Sequence, residues 1–248
     1  MDKERFVELF TRTEAVKAEG IWEAQQIAKG CMKALEGYLV PGLSRGQIHS
    51  FCERWMTEHG SEGWWIHDDP ALILYGPHTP FSAHDDPASL FEGLTVALND
   101  YITVDVAPTV RGGWGDITRG FVMEKGRLIP WQESEDEEIR EGMLLEEELH
   151  RSLIGFVGPK TTFAELHRHT EEILSAHGYY NCDYHGNFGH TIENDRKDRV
   201  TIIPEETRSI AGYGRPITYE PHICRIGGTK GIKHEVMYVF AGGKLEEV

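Results

Sequence analysis

One pattern occurs twice in this chain, and that repetition constrains the fold more than any other feature. Ser44-Arg-Gly-Gln47-Ile48-His49 runs on to His59-Gly60, and Thr162-Phe-Ala-Glu165-Leu166-His167 runs on to His177-Gly178. Aligned positions, such as Ser44 with Thr162 and His59 with His177, are offset by 118 residues. Each copy opens with an S/T-x-x-Q/E capping box, which satisfies backbone N–H groups orphaned at a helix start. Apolar residues follow at helical spacing: Ile48, Phe51, Cys52, Trp55 and Met56 in one copy, Leu166, Ile173 and Leu174 with Thr170 in the other. A His-Gly stop closes each, and a turn precedes each, Pro41-Gly42 and Gly158-Pro159. One capped helix recurring by chance is the competing explanation. Cap, face and stop matching together favour duplication.

The remaining pattern reads as helix then strands, twice. Residues 2–36 and 134–155 have helical character. Residues 72–75, 94–106, 117–123, 200–203, 216–223 and 235–241 read as strands, from β-branched content and alternation. Helices with antiparallel hairpins in each half predict an α+β fold with internal pseudo-two-fold symmetry. No low-complexity linker interrupts it, so 1–248 reads as a single domain.

Charge narrows the function. Asp and Glu number 41 against 25 Lys and Arg, a formal net charge of −16. Such a balance argues against nucleic acid or an anionic membrane as partner. No apolar run approaches membrane-spanning length, and the charged start MDKERFVELF lacks the apolar core of a secretory signal. The four cysteines, Cys31, Cys52, Cys182 and Cys224, show no C-x-x-C spacing. They read as reduced thiols, and the expected location is cytoplasmic. A homodimer is the expected assembly.

Some of the acids fall into pairs on predicted hairpins. In Ile102-Thr-Val-Asp105-Val-Ala-Pro108, alternation puts Thr103, Asp105 and Ala107 on one face. A Gly-rich turn leads to Asp116-Ile-Thr118-Arg119, so a hairpin sets two carboxylates side by side. In the second half, Ile217-Thr-Tyr-Glu220-Pro-His222 and Gly231-Ile-Lys-His-Glu235 supply the counterparts. Taken singly, each acid reads better as an isolated strand-end group in an acidic protein. Hairpin spacing and the repeat together favour four converging carboxylates, which need a compensating cation. His190, in Tyr184-His-Gly-Asn-Phe-Gly-His190, is the candidate imidazole ligand. Oxygen ligands plus one imidazole suit two divalent ions, Mn, Fe, Co or Zn.

These residues resemble the pita-bread metallopeptidases, the superfamily of methionine aminopeptidase, aminopeptidase P, prolidase and creatinase. Asp105-Val-Ala-Pro…Gly113-Trp-Gly-Asp116-Ile-Thr-Arg119 resembles its D-x-G…G-Y-x-x-D-x-T-R signature. Gly189-His190 resembles G-H, Thr218-Tyr-Glu220-Pro resembles T-x-E-P, and Gly231-Ile-Lys-His-Glu235 resembles G-x-R-x-E. The match spans essentially the whole chain and is closest to the prolidase and aminopeptidase P branch, whose usual N-terminal domain has no counterpart here.

By this resemblance Asp105 and Asp116 ligate one metal, His190 and Glu220 the other, and Asp116 and Glu235 bridge them. Thr118 then orients a ligand carboxylate, and Glu220 accepts a proton. His84, in Phe81-Ser-Ala-His84-Asp-Asp-Pro, falls where the family places a substrate-contacting catalytic histidine. The implied activity is a dinuclear-metal-dependent hydrolase, an aminopeptidase or Xaa-Pro dipeptidase using a metal-bridging hydroxide on a short-peptide or small-molecule substrate.

Three positions depart from the family pattern. No histidine follows His190 within 191–199, where a second one usually helps stabilise the tetrahedral intermediate. His222 is a candidate substitute in substrate binding, and a structural histidine is the equal alternative. The glycine–histidine element is one residue longer than H-G-x-G-H, which loosens the assignment of His185 to substrate binding. Lys233 replaces an arginine. These departures leave a second reading open, a non-peptidase enzyme on the same fold, a lyase or small-molecule amidase.

Overall fold

The computed structural model describes residues 1–65, 69–81, 93–183 and 185–248. Two helices open the chain, α1 (Lys3–Glu8) and α2 (Ala15–Leu35), followed by α3 (Arg45–Glu58). The single helix predicted over 2–36 is therefore broken at 9–14. There the Glu14 carboxylate accepts from the Thr11 hydroxyl and backbone N–H, a local turn that competes with helix.

In the first half, β2 (Leu72–Tyr75), β3 (Asp100–Val106), β6 (Ile117–Glu124) and β7 (Arg127–Ile129) form one antiparallel sheet in that order. The strand predicted from 94 starts only at Asp100, whose carboxylate accepts from the Ala97 N–H and holds the preceding turn. Between β3 and β6 the chain makes an outward excursion. Strands β4 (Pro108–Val110) and β5 (Gly113–Trp114) pair with each other, and β4 pairs with β1 (Gly63–Trp64).

The second half repeats this plan. Helix α4 (Glu137–Phe156) leads to α5 (Phe163–Ala176), which carries the same complete capping box as α3. α4 begins at Glu137 rather than 134, because Ser134 is tied to Glu124 and Asp136 caps the N–H groups of Glu138 and Ile139. Strands β9 (Ile217–Tyr219), β12 (Val236–Ala241) and β13 (Lys244–Glu247) form the main sheet. The excursion consists of β10 (His222–Arg225) and β11 (Gly231–Lys233), with β8 (Tyr179–Asn181) paired to β10. The strand predicted over 216–223 is thus two strands in two sheets. Pro221 has no N–H to continue the ladder, and the break falls beside Glu220. The strand predicted at 200–203 is reduced to one bridge, Thr201 to His190.

Each half has its own core. One is built on Ala28, Ile48, Met56, Ile73, Val104 and Ile117, the other on Leu149, Leu153, Phe163, Leu166, Phe188 and Tyr219. A third cluster joins Phe6 and Ile21 to Trp114, Met237 and Val239, packing α1 and α2 against the second sheet. The halves meet where Glu235 N–H donates to the Thr118 carbonyl over 3.1 Å. Among the described residues no helix is long and apolar enough to cross a membrane, and all four cysteines are free thiols.

His150 shows how tightly the second half is specified. Its Nε2–H donates to the His234 carbonyl and its Nδ1 accepts from the Tyr238 hydroxyl, both at 2.9 Å. Burial pushes its pKa down to about 4. A histidine depressed in the fold contributes stability that is complete above its unfolded pKa near 6.5 and is lost as pH falls toward 4. His150→Gln keeps the donor to His234 but cannot be protonated. Urea unfolding of wild type and H150Q at pH 7.5 and pH 4.5 will show the variant gaining about 3 kcal/mol relative to wild type at the lower pH.

Candidate metal centre

The centre forms where the two hairpins leave their sheets. Asp105 lies on β3, opposite Thr118 of β6. Glu220 and Glu235 extend the Tyr219–Val236 pairing of β9 and β12 by one step. Donor atoms of Asp105, Glu220 and Glu235 lie within 4.8 Å of one another. Asp116 and His190 adjoin them: His190 Nε2 is 3.7 Å from Asp116 Oδ2 and 3.4 Å from Glu220 Oε1. The structure therefore brings together all five residues singled out from sequence as ligand candidates.

Local sequence explains how each arrives. Gly115 lets the chain press against α2, since a Cβ there would fall 2.6 Å from the backbone of Ala24 and Gln25. That approach lets Gln25 grip Asp116 through both amide atoms. Asp116 N–H donates to Gln25 Oε1 over 2.8 Å, and Gln25 Nε2 donates to the Asp116 carbonyl over 3.1 Å. Gly189, at φ +134°, has no room for a Cβ against the Thr218 carbonyl. It brings His190 beside β9, where the His190 carbonyl accepts from Thr218 N–H over 2.7 Å. Thr118 Oγ1 donates to Glu235 Oε2 over 2.9 Å.

The electrostatics are those of a cluster short of positive charge. Burial, reinforced by the Glu235, Asp105 and Glu220 carboxylates, pushes the Asp116 carboxyl well above its usual range. Burial and the charges of Glu220 and Asp105 do the same to Glu235. Burial also tends to raise Glu220, but the charge and hydrogen bond of the Lys233 ammonium outweigh it and hold that carboxyl low. Burial keeps the His190 imidazole below its ordinary pKa, hence neutral. Its Nδ1–H donates to the Thr191 carbonyl over 3.3 Å, which turns the Nε2 lone pair toward the carboxylates. A lone pair facing two carboxylate oxygens is repulsive unless a cation lies among them. Asp105 Oδ1 and Glu235 Oε1 are buried without a hydrogen-bond partner. The donor set and the orphaned oxygens fit divalent metal ions.

Lys233, Trp114 and Trp65 also shape the centre, as Gln25 does. Lys233 Nζ is 2.9 Å from Asp105 Oδ2 and 2.8 Å from Glu220 Oε2. Trp114 and Trp65 stack at 3.7 Å and flank His190 at 5.7 and 5.4 Å between ring centres. Trp114 was visible within the G-W-G-D string, but Trp65 and Gln25 carried no motif. Of the other candidates, His222 is buried and donates from Nε2 to the Thr79 carbonyl over 2.7 Å. Burial and the nearby Lys233 push it down to about 4, so the ring is neutral. His185 is exposed, on a turn where its N–H donates to Asp183. His84 lies outside the described residues.

Glu235→Gln tests this account of the cluster. A carboxyl whose folded pKa is raised destabilises the fold as pH rises above its unfolded value near 4.5. In metal-free protein the amide variant will be more stable than wild type at pH 8, on the order of 1–2 kcal/mol, with the gain shrinking toward pH 5. Thermal melts in the presence of a chelator at the two pH values measure it.

A profile of metallopeptidase family M24 matches residues 19–241. Among solved structures, the X-Pro aminopeptidase of Thermotoga maritima has a TM-score of 0.77 at 18% identity, covering 100% of this chain and 64% of that one. Prolidase from Pyrococcus furiosus has a TM-score of 0.76 at 20% identity, covering 99% and 66%. Methionine aminopeptidase of Thermotoga maritima has a TM-score of 0.70 at 13% identity, covering 96% and 97%. The chain thus spans just under two thirds of the length of the first two. No curated protein matches its sequence. At these identities the likeness establishes the pita-bread fold, and the profile match over most of the chain adds the family: this protein belongs to the M24 metallopeptidases.

Proposed function

We propose that the chain is a dinuclear-metal-dependent hydrolase that cleaves short peptides at the amino end, as an aminopeptidase or Xaa-Pro dipeptidase. The observation that carries this reading is the cluster of Asp105, Glu220 and Glu235 donors within 4.8 Å, with orphaned oxygens at its centre. Asp105 and Asp116 would hold one ion and His190 and Glu220 the other, with Asp116 and Glu235 shared. When bound, Mn, Fe, Co or Zn ions would activate water near neutral pH and polarise the scissile carbonyl.

The chain's own residues do the rest. Glu220 stays ionised beside Lys233 and His190, so at neutral pH it can take a proton and pass it to the departing amine. Thr118 and Gln25 hold Glu235 and Asp116 in place. The Trp65–Trp114 stack closes one side of His190. His84 is assigned to substrate contact. The neighbours' own designations, X-Pro aminopeptidase and prolidase, support the Xaa-Pro class.

A second reading, a non-peptidase enzyme acting on a small metabolite, is favoured by one feature: the segment 191–199 carries no histidine. A panel of Xaa-Pro and methionyl peptides, assayed with Mn(II) or Co(II), separates the two. Turnover that Asp116→Ala lowers by roughly a thousandfold is expected on the first reading. No turnover, alongside a metal-dependent rise in melting temperature, transfers support to the second. If neither turnover nor a thermal shift is found, the metal-centre reading itself fails.

A further inference from the structure

Lys233 does more than stand where the family has an arginine. Among the described residues its ammonium makes direct ion pairs with two acids of the centre, and its geometry is specific. The same ammonium contacts Asp105 from the first hairpin at 2.9 Å and Glu220 from the second at 2.8 Å. In each contact it takes Oδ2 or Oε2. Asp105 Oδ1 is left buried and without a hydrogen-bond partner, and Glu220 Oε1 faces His190 at 3.4 Å. Lys233 stands at the end of β11, paired with His222 and only two residues before Glu235, so its backbone is fixed beside the acids. An arginine would spread its charge over a planar fork suited to one carboxylate. A lysine ammonium is a compact point charge and can sit between two.

We propose that Lys233 is the resident counter-cation of this centre, and that divalent ions load against it. The inference rests on the metal-centre reading above. Asp105, Asp116, Glu220 and Glu235 would carry four negative charges if all were ionised, and the ammonium cancels one of them. It does so at the two carboxylates that belong to opposite halves, and so ties the halves together without metal. A dication entering the cluster meets a like charge a few ångström away and shares Asp105 and Glu220 with it. That opposition weakens metal binding. The competing account makes Lys233 an aid to loading, a side chain that orients Asp105 for its ion. The two accounts predict opposite signs.

The test uses the full chain stripped of metal by chelation, as wild type, K233M and K233Q. Mn(II) affinity is read by calorimetry against a competing chelator, and melting temperature is read with and without Mn(II). Both variants are expected to bind Mn(II) about tenfold tighter or more. Their metal-free forms are expected to melt below metal-free wild type, and Mn(II) is expected to restore them to the level of the loaded wild type. K233Q keeps a hydrogen-bonding side chain without the charge, so agreement between the variants separates charge from packing. Weaker Mn(II) binding by either variant overturns the proposal. So does failure of both to fold in Mn(II), since the ions should replace the lost charge. Absence of Mn(II) binding by wild type is a different result and removes the metal centre itself.

Discussion

Repulsion among four carboxylates, three buried and one nearly so, is the force to which the rest of this structure responds. At a few ångström, and with the effective dielectric of a protein interior, each like-charged pair costs on the order of 4 kcal/mol. The Asp116 and Glu235 carboxyls respond with pKa values pushed well above the usual range, driven first by burial and then by their neighbours. Asp105 and Glu220 respond through Lys233. His190 stays neutral and aims its free lone pair into the group, with its Nδ1 hydrogen fixed on the Thr191 carbonyl. None of these responses neutralises the cluster, and the oxygens left without partners mark where positive charge is still lacking.

The fold makes so unfavourable a cluster possible by building it from two halves. Each half is a helix-backed antiparallel sheet with a largely separate apolar core, and burial of that apolar surface offsets the cost of the polar centre. In each, an outward excursion interrupts the central hairpin, β4–β5 in the first and β10–β11 in the second. The acids sit at the roots of these excursions, where strands part and side chains turn inward. The halves are joined at the same place, by the Glu235–Thr118 backbone contact and by Arg119 donating to the Glu235 carbonyl.

Much of this was legible in the sequence because it is written locally. The capping boxes at Ser44 and Thr162 form as read, since each needs only four consecutive residues. The five ligand candidates were recoverable because alternation sets which face Asp105 and Glu220 take, and the spacing from Asp105 to Asp116 fits a hairpin. The misjudged boundaries have local causes of another kind. Thr11 with Glu14, Ser134 with Glu124, and Pro221 each divert the backbone through a side-chain bond or a missing donor, against the prevailing periodicity.

By itself, then, the sequence pointed to the duplication, the α+β architecture and the candidate acids, because each follows from local periodicity, from hairpin spacing or from a pattern that recurs 118 residues on. The tertiary structure alone decided what surrounds those acids. Gln25 reaches Asp116 across 91 residues of chain, Lys233 reaches Asp105 across 128, and Glu235 meets Thr118 across 117. Trp65 stacks on Trp114 only because β1 is carried beside β4. Contacts of that range leave no periodic trace. They arise where the two halves pack together, which places a lysine ammonium between carboxylates that the sequence showed only as separate acids.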